Sequence, residues 1–238
     1  MCTITYLPLS SSSFILTSNR DEGRYRKIAL PPDKYAVHGV DVYFPKDMDA
    51  YGTWFAAAKK FTLCIMNGAF HPHQHNPPYR LSRGIMLLDF FLYNNVHDFV
   101  TQYNFEGIEP FTLLIFEQSA ETTIHEIRWD EKQIYTAIKD ATVPLIWSSA
   151  QLYPKEVILQ REEWFAAWLQ ANKEFTMDRI INFHKTGGTG DSNTDLLMNR
   201  DGKVFTVSIT SVLRSNNENI MRYEDMISKT GIEEIEMS

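Results

Sequence analysis

The sequence has few cysteines, glycines and prolines, no long hydrophobic run and no excess of positive charge. Only 2 Cys occur in 238 residues, which excludes a disulfide-stapled scaffold. With only 11 Gly and 10 Pro but 15 Phe and 11 Tyr, the chain is not of the composition that stays disordered. Lys and Arg number 23 against 30 Asp and Glu, a net charge of −7. Such a chain lacks the cationic surface that nucleic-acid binding requires.

The beginning of the chain carries no basic, hydrophobic leader, because Pro8 and four serines interrupt it at once. The longest apolar run, residues 164–169, falls far short of the ~20 residues that span a bilayer. The sequence therefore predicts a cytoplasmic protein in a reducing compartment, with no membrane span, and leaves its oligomeric state open.

Hydrophobic periodicity predicts alternating groups of strands and helices. A polar string, Asn19-Arg20-Asp21-Glu22, is expected where the second strand ends, and 71–78 is expected to be a loop. Glu233, Glu234 and Glu236 are predicted to form a solvated tail. Strands are predicted at 2–7, 14–18, 54–58, 61–66, 111–117, 122–129, 143–147, 195–198 and 204–212, and helices at 82–93, 96–103, 154–171 and 176–184.

This order of elements favours an α+β fold of mostly antiparallel sheets covered by helices. It does not show the strict strand–helix alternation of a parallel sheet. No linker rich in Pro, Gly or Ser divides the chain. We therefore expect one domain over 1–238.

Cys2 is the first candidate for chemistry. Removal of Met1 would give one residue both a thiol, with a pKa of about 8.5, and a free α-amine, with a pKa of about 7.7–8.0. Such an amine can act as the base for its own nucleophile. The polar string at 19–22 supports this interpretation, because an antiparallel return of the second strand brings Arg20 and Asp21 beside Cys2.

Four ordered motifs carry a resemblance to a known family. They are Met1-Cys2-Thr3, Asn19-Arg20-Asp21-Glu22 preceded by Thr17-Ser18, Gly52-Thr53-Trp54, and Ile65-Met66-Asn67, with Trp147-Ser148-Ser149 as a weaker fifth. Together they resemble the NRDE family, whose eukaryotic members are the transport and Golgi organisation proteins. That family resembles the N-terminal-nucleophile hydrolases, especially the penicillin V acylase and bile-salt hydrolase branch.

The resemblance implies an αββα sandwich, with two mostly antiparallel sheets and helices on both outer faces. It implies a hydrolase acting on carbon–nitrogen bonds other than peptide bonds, which cleaves a linear N-acyl amide through an acyl-thioester and needs no cofactor. The implied catalytic residues are Cys2, Arg20, Asp21, Asn67 and Ser149. Cys2 is nucleophile and base, Asp21 orients it, and Asn67 and Ser149 stabilise the oxyanion. Asn19, Thr53, Trp54 and His71 are expected to contact the small amide substrate.

Two alternatives depend on His71, His73 and His75. One is a non-enzymatic binding or trafficking protein that handles haem on the same fold, as proposed for some eukaryotic relatives. The other is a zinc-dependent hydrolase, although no second ligand motif completes a metal site. Cys64 alternates with core residues in a strand and is expected to be buried. The glycines at 187–190 lack the Lys-Ser/Thr ending of a phosphate loop and predict a surface loop.

Overall fold

Over the residues that the structure describes, the protein folds into two antiparallel sheets and four α-helices. The structure is a computed structural model that describes residues 3–228 and 231–238. Cys2, on which the predicted chemistry depends, lies outside the described residues. The strands are β1 Thr3–Pro8, β2 Phe14–Gly23, β3 Leu30–Val37, β4 Val40–Lys46, β5 Phe55–Ala58, β6 Phe61–Asn67, β7 Phe111–Gln118, β8 Thr122–Trp129, β9 Ile134–Lys139, β10 Leu145–Ser148, β11 Asn199–Arg200, β12 Val204–Arg214, β13 Asn219–Asp225 and β14 Ile232–Glu236.

The first sheet joins the start of the chain to its end. Its order is β10-β1-β2-β12-β13-β14, and the short β11 pairs with β12. Thr3 pairs with Asn19 across β1 and β2, and Asn19 pairs with Ile209 of β12. The register shifts between Thr206 and Ser208, a bulge that lies opposite Asp21 and Arg20. Bulges bend a strand and re-aim side chains, often beside functional sites.

The second sheet is a meander in chain order, β3 to β9. The predicted hairpin at residues 54–66 is present here as β5 and β6, in which Phe55 pairs with Cys64. Aromatic side chains join the two sheets: the rings of Tyr6 and Phe14 lie 5.4 and 5.5 Å from the ring of Phe116. The two sheets bury a large apolar interface between them. Strands with one face in this interface alternate apolar and polar residues, and this pattern predicted them from the sequence.

Helices cover the outer face of each sheet. They are α1 Arg83–Asp89, followed by a 3-10 turn at Phe90–Leu92, α2 Val96–Gln102, α3 Lys155–Ala171 and α4 Met177–Thr186. Capping side chains mark where α1, α2 and α4 begin, since Ser82, Asn95 and Thr176 each accept a bond from a backbone N–H three residues on. None of the helices in the described part of the chain is long and apolar enough to cross a membrane.

The core has two parts. The larger lies between the sheets and under α1 and α2, and it contains the buried Cys64, as expected. The smaller lies between the first sheet and the helices α3 and α4, around Leu7, Phe165 and Ile180. Alternation along β1 explains the division: Ile4 and Tyr6 belong to the first part and Leu7 to the second.

Several predicted elements were wrong. β2 does not end before the polar string but continues to Gly23, because β12 pairs with it along its whole length. Residues 195–198 form no strand, and the hairpin partner of β12 is Asn199–Arg200. The glutamate-rich end is an edge strand, β14, paired with β13. The hairpin of β3 and β4 was not predicted, because β3 is largely exposed and includes Pro31 and Pro32, although β4 is mostly buried.

The apolar stripe that helical spacing predicts along α3 is only partly buried. Phe165 is buried, but the other apolar residues of the stripe, at 157, 158, 164, 168 and 169, are half-buried. A charged residue, Arg161, lies in the middle of the stripe and is completely buried.

Two glycines allow the loop before β5 to cross the start of α1. A Cβ on Gly52 would lie 2.4 Å from the carbonyl carbon of Gly84, closer than real Cβ contacts come. This crossing places Thr53 against the helix, since the Thr53 N–H donates to the Gly84 carbonyl at 3.3 Å.

We expect Gly52→Ala to lower the free energy of unfolding by about 1–3 kcal/mol or more, because the added methyl meets rigid backbone. Gly23→Ala is the matched control: its Cβ would come no closer than 3.9 Å to its nearest neighbour. Urea denaturation of both variants checks this. Equal stability of the two variants would contradict the crossing.

Candidate functional site

A cleft of about 560 Å³ opens at one end of the sandwich. Its walls come from the end of β2, from the loop before β5, from the end of β6 and from the segment that leads into α1. Among the residues expected at the site, the structure brings Arg20, Thr53, Trp54 and Asn67 together on these walls.

Arg20 is held rigidly on the cleft wall although it is only 2 % exposed. Its guanidinium stacks on Trp54, with Cζ 4.0 Å from the ring centroid. Nη2 forms a very short ion pair with Asp47 and lies 3.4 Å from Glu22 Oε1. Asp47 also accepts from Arg26 at 3.0 Å. Stacking and pairing together fix one orientation of the guanidinium.

Trp54 has an indole N–H with no partner. The side chain is 4 % exposed, and Nε1 is buried without a hydrogen bond among the described residues. A buried donor normally finds an acceptor, and leaving it unpaired costs about 1–3 kcal/mol. Thr53, in contrast, is satisfied: its hydroxyl lies 2.7 Å from the Pro45 carbonyl and accepts from the Phe55 N–H.

Asn67 and Ser149 are in contact through the backbone. The Ser149 hydroxyl, which is fully buried, donates to the Asn67 carbonyl at 2.8 Å. Asn67 is half-buried on the cleft wall, and its carboxamide has no partner in the part of the chain that the structure describes. The carboxamide is therefore available to a ligand, whereas Ser149 holds the strand end that carries it.

Arg83 and Glu109 form a second charged group on the cleft wall. Arg83 Nη2 lies 2.9 Å from Glu109 Oε2. His73 and His75 both bond the other carboxylate oxygen at 3.1 Å. Burial raises the pKa of Glu109, but Arg83 and the two histidines outweigh it, so the pKa ends below its usual range. Burial lowers the pKa of Arg83, against the attraction of Glu109.

The histidine loop does not form a metal site among the described residues. No three His, Cys, Asp or Glu side chains of 3–228 and 231–238 are arranged to hold a metal ion. Two of the three imidazoles are bonded to Glu109. His71 is exposed and does not line the cleft.

Asn19 and Asp21 lie on the opposite face of β2 from Arg20. Side chains alternate along a strand, so Arg20 faces the cleft while its two neighbours face the layer of α3 and α4. Asp21 is 3 % exposed; it accepts from Thr206 Oγ1 at 2.5 Å and from the Tyr153 hydroxyl at 3.3 Å. Burial raises the pKa of Asp21, whereas Thr206, Arg161 and Tyr153 oppose that shift.

Both the sequence and the fold resemble those of known proteins. A family model described as Transport and Golgi organisation 2 matches residues 1–221. The chain belongs to this family. No curated protein matches the chain. Among solved structures, the chain is similar to penicillin V acylase from Agrobacterium tumefaciens, with a TM-score of 0.53 and 11% sequence identity, over 100% of this chain and 86% of that chain. At this identity the likeness shows the fold alone, a sandwich of two antiparallel sheets with helices on its outer faces.

Arg161 of α3 was not among the residues that the sequence predicted for the site. It is completely buried and donates to Thr3 Oγ1 at 2.5 Å and to the carbonyls of Thr194 and Asp195. Its Cζ lies 3.7 Å from the centroid of the Tyr153 ring. One signal was present in the sequence: Arg161 interrupts the apolar stripe of α3 at helical spacing. A charge there implies a buried partner.

Asn19 links three elements on the helix side. Its amide donates to the Leu196 carbonyl at 2.7 Å, so its oxygen faces His184 Nδ1, also at 2.7 Å. Nδ1 therefore carries the proton, and Nε2 accepts from the Thr5 hydroxyl at 2.7 Å. His184 is fully buried, and burial lowers its pKa to about 3. Asn19, expected to contact substrate, lies outside the cleft.

His184 makes stability depend on pH. Its pKa is depressed in the folded state, so below its ordinary value of 6.5 the unfolded chain takes up the proton first. Its contribution is complete above pH 6.5 and is lost as the pH falls. We expect this one group to lower the free energy of unfolding by about 2 kcal/mol between pH 7 and pH 5.

Urea denaturation at both pH values checks this, with His184→Gln as the control. The variant is less stable at pH 7 but loses about 2 kcal/mol less on acidification. An unchanged pH dependence in the variant would contradict the neutral, buried imidazole.

Proposed function

We propose that the protein is an N-terminal cysteine amidohydrolase that cleaves a linear N-acyl amide after removal of Met1. The observation that carries the proposal is the cleft itself. A guanidinium held in one orientation on Arg20 and an Asn67 carboxamide without a partner among the described residues lie on the walls of one cavity at the end of β2, beside Trp54, whose buried indole N–H also finds no partner there.

The register of the first sheet supports Cys2 as the nucleophile. Thr3, the first described residue, pairs with Asn19, and the next residue of β2 is Arg20. Cys2 is bonded to Thr3, and the proposal assigns its thiol to the cleft that Arg20 lines.

In the proposed reaction, the Cys2 thiol gives its proton to the α-amine of the same residue. The thiolate then attacks the amide carbonyl carbon, and the carbonyl electron pair moves to oxygen. Asn67 Nδ2–H donates to this oxyanion. As the carbon–nitrogen bond breaks, the ammonium returns the proton to the leaving amine, and an acyl-thioester remains. Water, deprotonated by the α-amine, attacks the thioester, and the acid and the Cys2 thiol are released.

The neighbouring charges have separate roles in this proposal. Asp21 is buried beside the strand end and would orient the α-ammonium of Cys2. Arg161 supports this arrangement from the helix side, because it donates to Thr3 and its charge opposes the rise that burial causes in the pKa of Asp21. Arg20 presents a fixed positive charge that favours the thiolate over the thiol. Ser149 positions the backbone of Asn67 and is not a direct donor.

The test compares the two cysteines on a panel of N-acyl amides. Intact mass first shows whether Met1 is absent, as the mechanism requires. Cys2→Ala is expected to lower kcat by about 10³-fold or more, because the nucleophile is lost. Cys64→Ala is the matched control: Cys64 is completely buried and burial raises the pKa of its thiol, so activity should persist. A Cys2→Ala variant with full activity would falsify the proposal.

Trp54→Phe tests the substrate-binding role of the indole N–H. The ring remains to stack on Arg20, but the buried donor is lost. If a substrate oxygen accepts from Nε1, we expect KM to rise about tenfold with kcat nearly unchanged, as for a lost hydrogen bond. Trp147→Phe is the control, since that indole donates to Glu126 at 2.8 Å, away from the cleft. Unchanged KM in Trp54→Phe would remove Trp54 from the binding site.

A further inference from the structure

A second cavity, of about 290 Å³, lies at the opposite end of the sandwich from the cleft. It lies among the turns that precede β2 and β6 and those that follow β7 and β12. The first cavity adjoins the end of β2, at Arg20 and Glu22, whereas this one adjoins its beginning, at Ser12. The two cavities share no residue, so nothing in the proposed amidase reaction accounts for the second.

Arg214, at the end of β12, is buried in the wall of this cavity and is 3 % exposed. Its Nε donates to Gln118 Oε1 at 2.5 Å, and Nη2 donates to the carbonyls of Ala58 and Lys59 at 2.6 and 3.0 Å. All three acceptors are neutral. No carboxylate of the described chain forms an ion pair with it, and burial lowers its pKa to about 10.

One nitrogen of Arg214 remains available. Nη1 has no hydrogen-bond partner in 3–228 or 231–238, yet it is not among the polar atoms sealed from solvent. The cavity is the open space that Arg214 lines. A buried guanidinium is costly unless an anion compensates it. A donor nitrogen facing a cavity without such an anion indicates where the anion binds.

The other residues that line the cavity also favour an anion. Its other charged residue is Lys59, which has no ion pair within the described residues, whereas its neighbour Lys60 is paired with Glu117 at 2.8 Å. No described aspartate or glutamate lines the cavity. Its remaining polar side chains carry hydroxyls and amides, from Ser12, Gln118, Ser119, Ser215, Asn216, Asn219 and Ser238. Two positively charged side chains thus line one cavity in a protein of net charge −7.

We propose that this cavity is a binding site for a tetrahedral oxyanion, either inorganic phosphate or the phosphate of a phosphomonoester. Arginine and lysine side chains together with hydroxyl and amide donors are the groups that recognise phosphate oxygens. Arg214 belongs to the first sheet and Lys59 to a turn of the second. The bound anion therefore bridges the sheets and stabilises the folded state.

The experiment titrates the purified full chain with inorganic phosphate, and separately with glycerol 3-phosphate, at constant ionic strength. Isothermal calorimetry gives the affinity, and thermal denaturation gives the stabilisation. We expect saturable 1:1 binding of at least one probe and a rise in Tm. Binding of phosphate alone identifies the free ion as the source, and tighter binding of glycerol 3-phosphate identifies a phosphomonoester.

Variants locate the site. Lys59→Gln is expected to weaken binding about tenfold, because a charged contact is lost. Lys60→Gln removes the same charge from the same turn but does not line the cavity, so its affinity should stay near wild type. Arg214→Lys, which keeps the charge but not the fork, should also weaken binding. Absence of saturable binding by both probes, or equal weakening by Lys59→Gln and Lys60→Gln, would overturn the proposal.

Discussion

The alternation of side chains along β2 is the constraint on which the rest of the site depends. Four consecutive polar residues, 19–22, lie in a strand that is covered on both faces. Arg20 and Glu22 are therefore directed to the cleft, while Asn19 and Asp21 are directed to the helices. Each group must then find its own partners, because a buried polar group without them destabilises the fold. Asp47 and Trp54 hold Arg20, which also pairs with Glu22, whereas His184 bonds Asn19, and Thr206 and Tyr153 bond Asp21.

The two faces of β2 therefore differ in how their polar side chains are bonded. On the helix face, the hydrogen bonds of Asn19 and Asp21 join β2 to Tyr153, α4, Leu196 and β12. On the cleft face, Arg20 is almost completely buried, and Asp47, Glu22 and Trp54 hold it in one orientation. On that wall, Trp54 Nε1 is buried without a hydrogen bond and the Asn67 carboxamide has no partner among the described residues. The bonded residues on the helix face thus support a cleft wall on which some hydrogen-bonding groups lack a partner among the described residues.

Much of the fold was predictable from local pattern, and the site only in part. β1 alternates and β7 is a short, almost continuous apolar run, both of which are typical of buried strands, and the helix caps at Ser82 and Thr176 are visible in the sequence. The continuation of β2 was not predictable, because Asn and Asp are rare in strands and are stabilised here by partners as distant as Thr206. The contact of Ser149 with Asn67 likewise spans 82 positions. The site motifs are local, but their orientation is set by tertiary contacts.

The glutamates of β14 have a consequence for the protein among other copies of itself. β14 is the last strand of the first sheet, so one of its edges carries backbone groups that no strand covers. An open edge of that kind is a template for pairing with another chain, and charge on it is a common defence. Glu233, Glu234 and Glu236 are exposed along this strand, and Glu234 is also paired with Arg222. Repulsion between like edges would keep two sheets from joining into a continuous ribbon, so the acidic end protects the protein against aggregation.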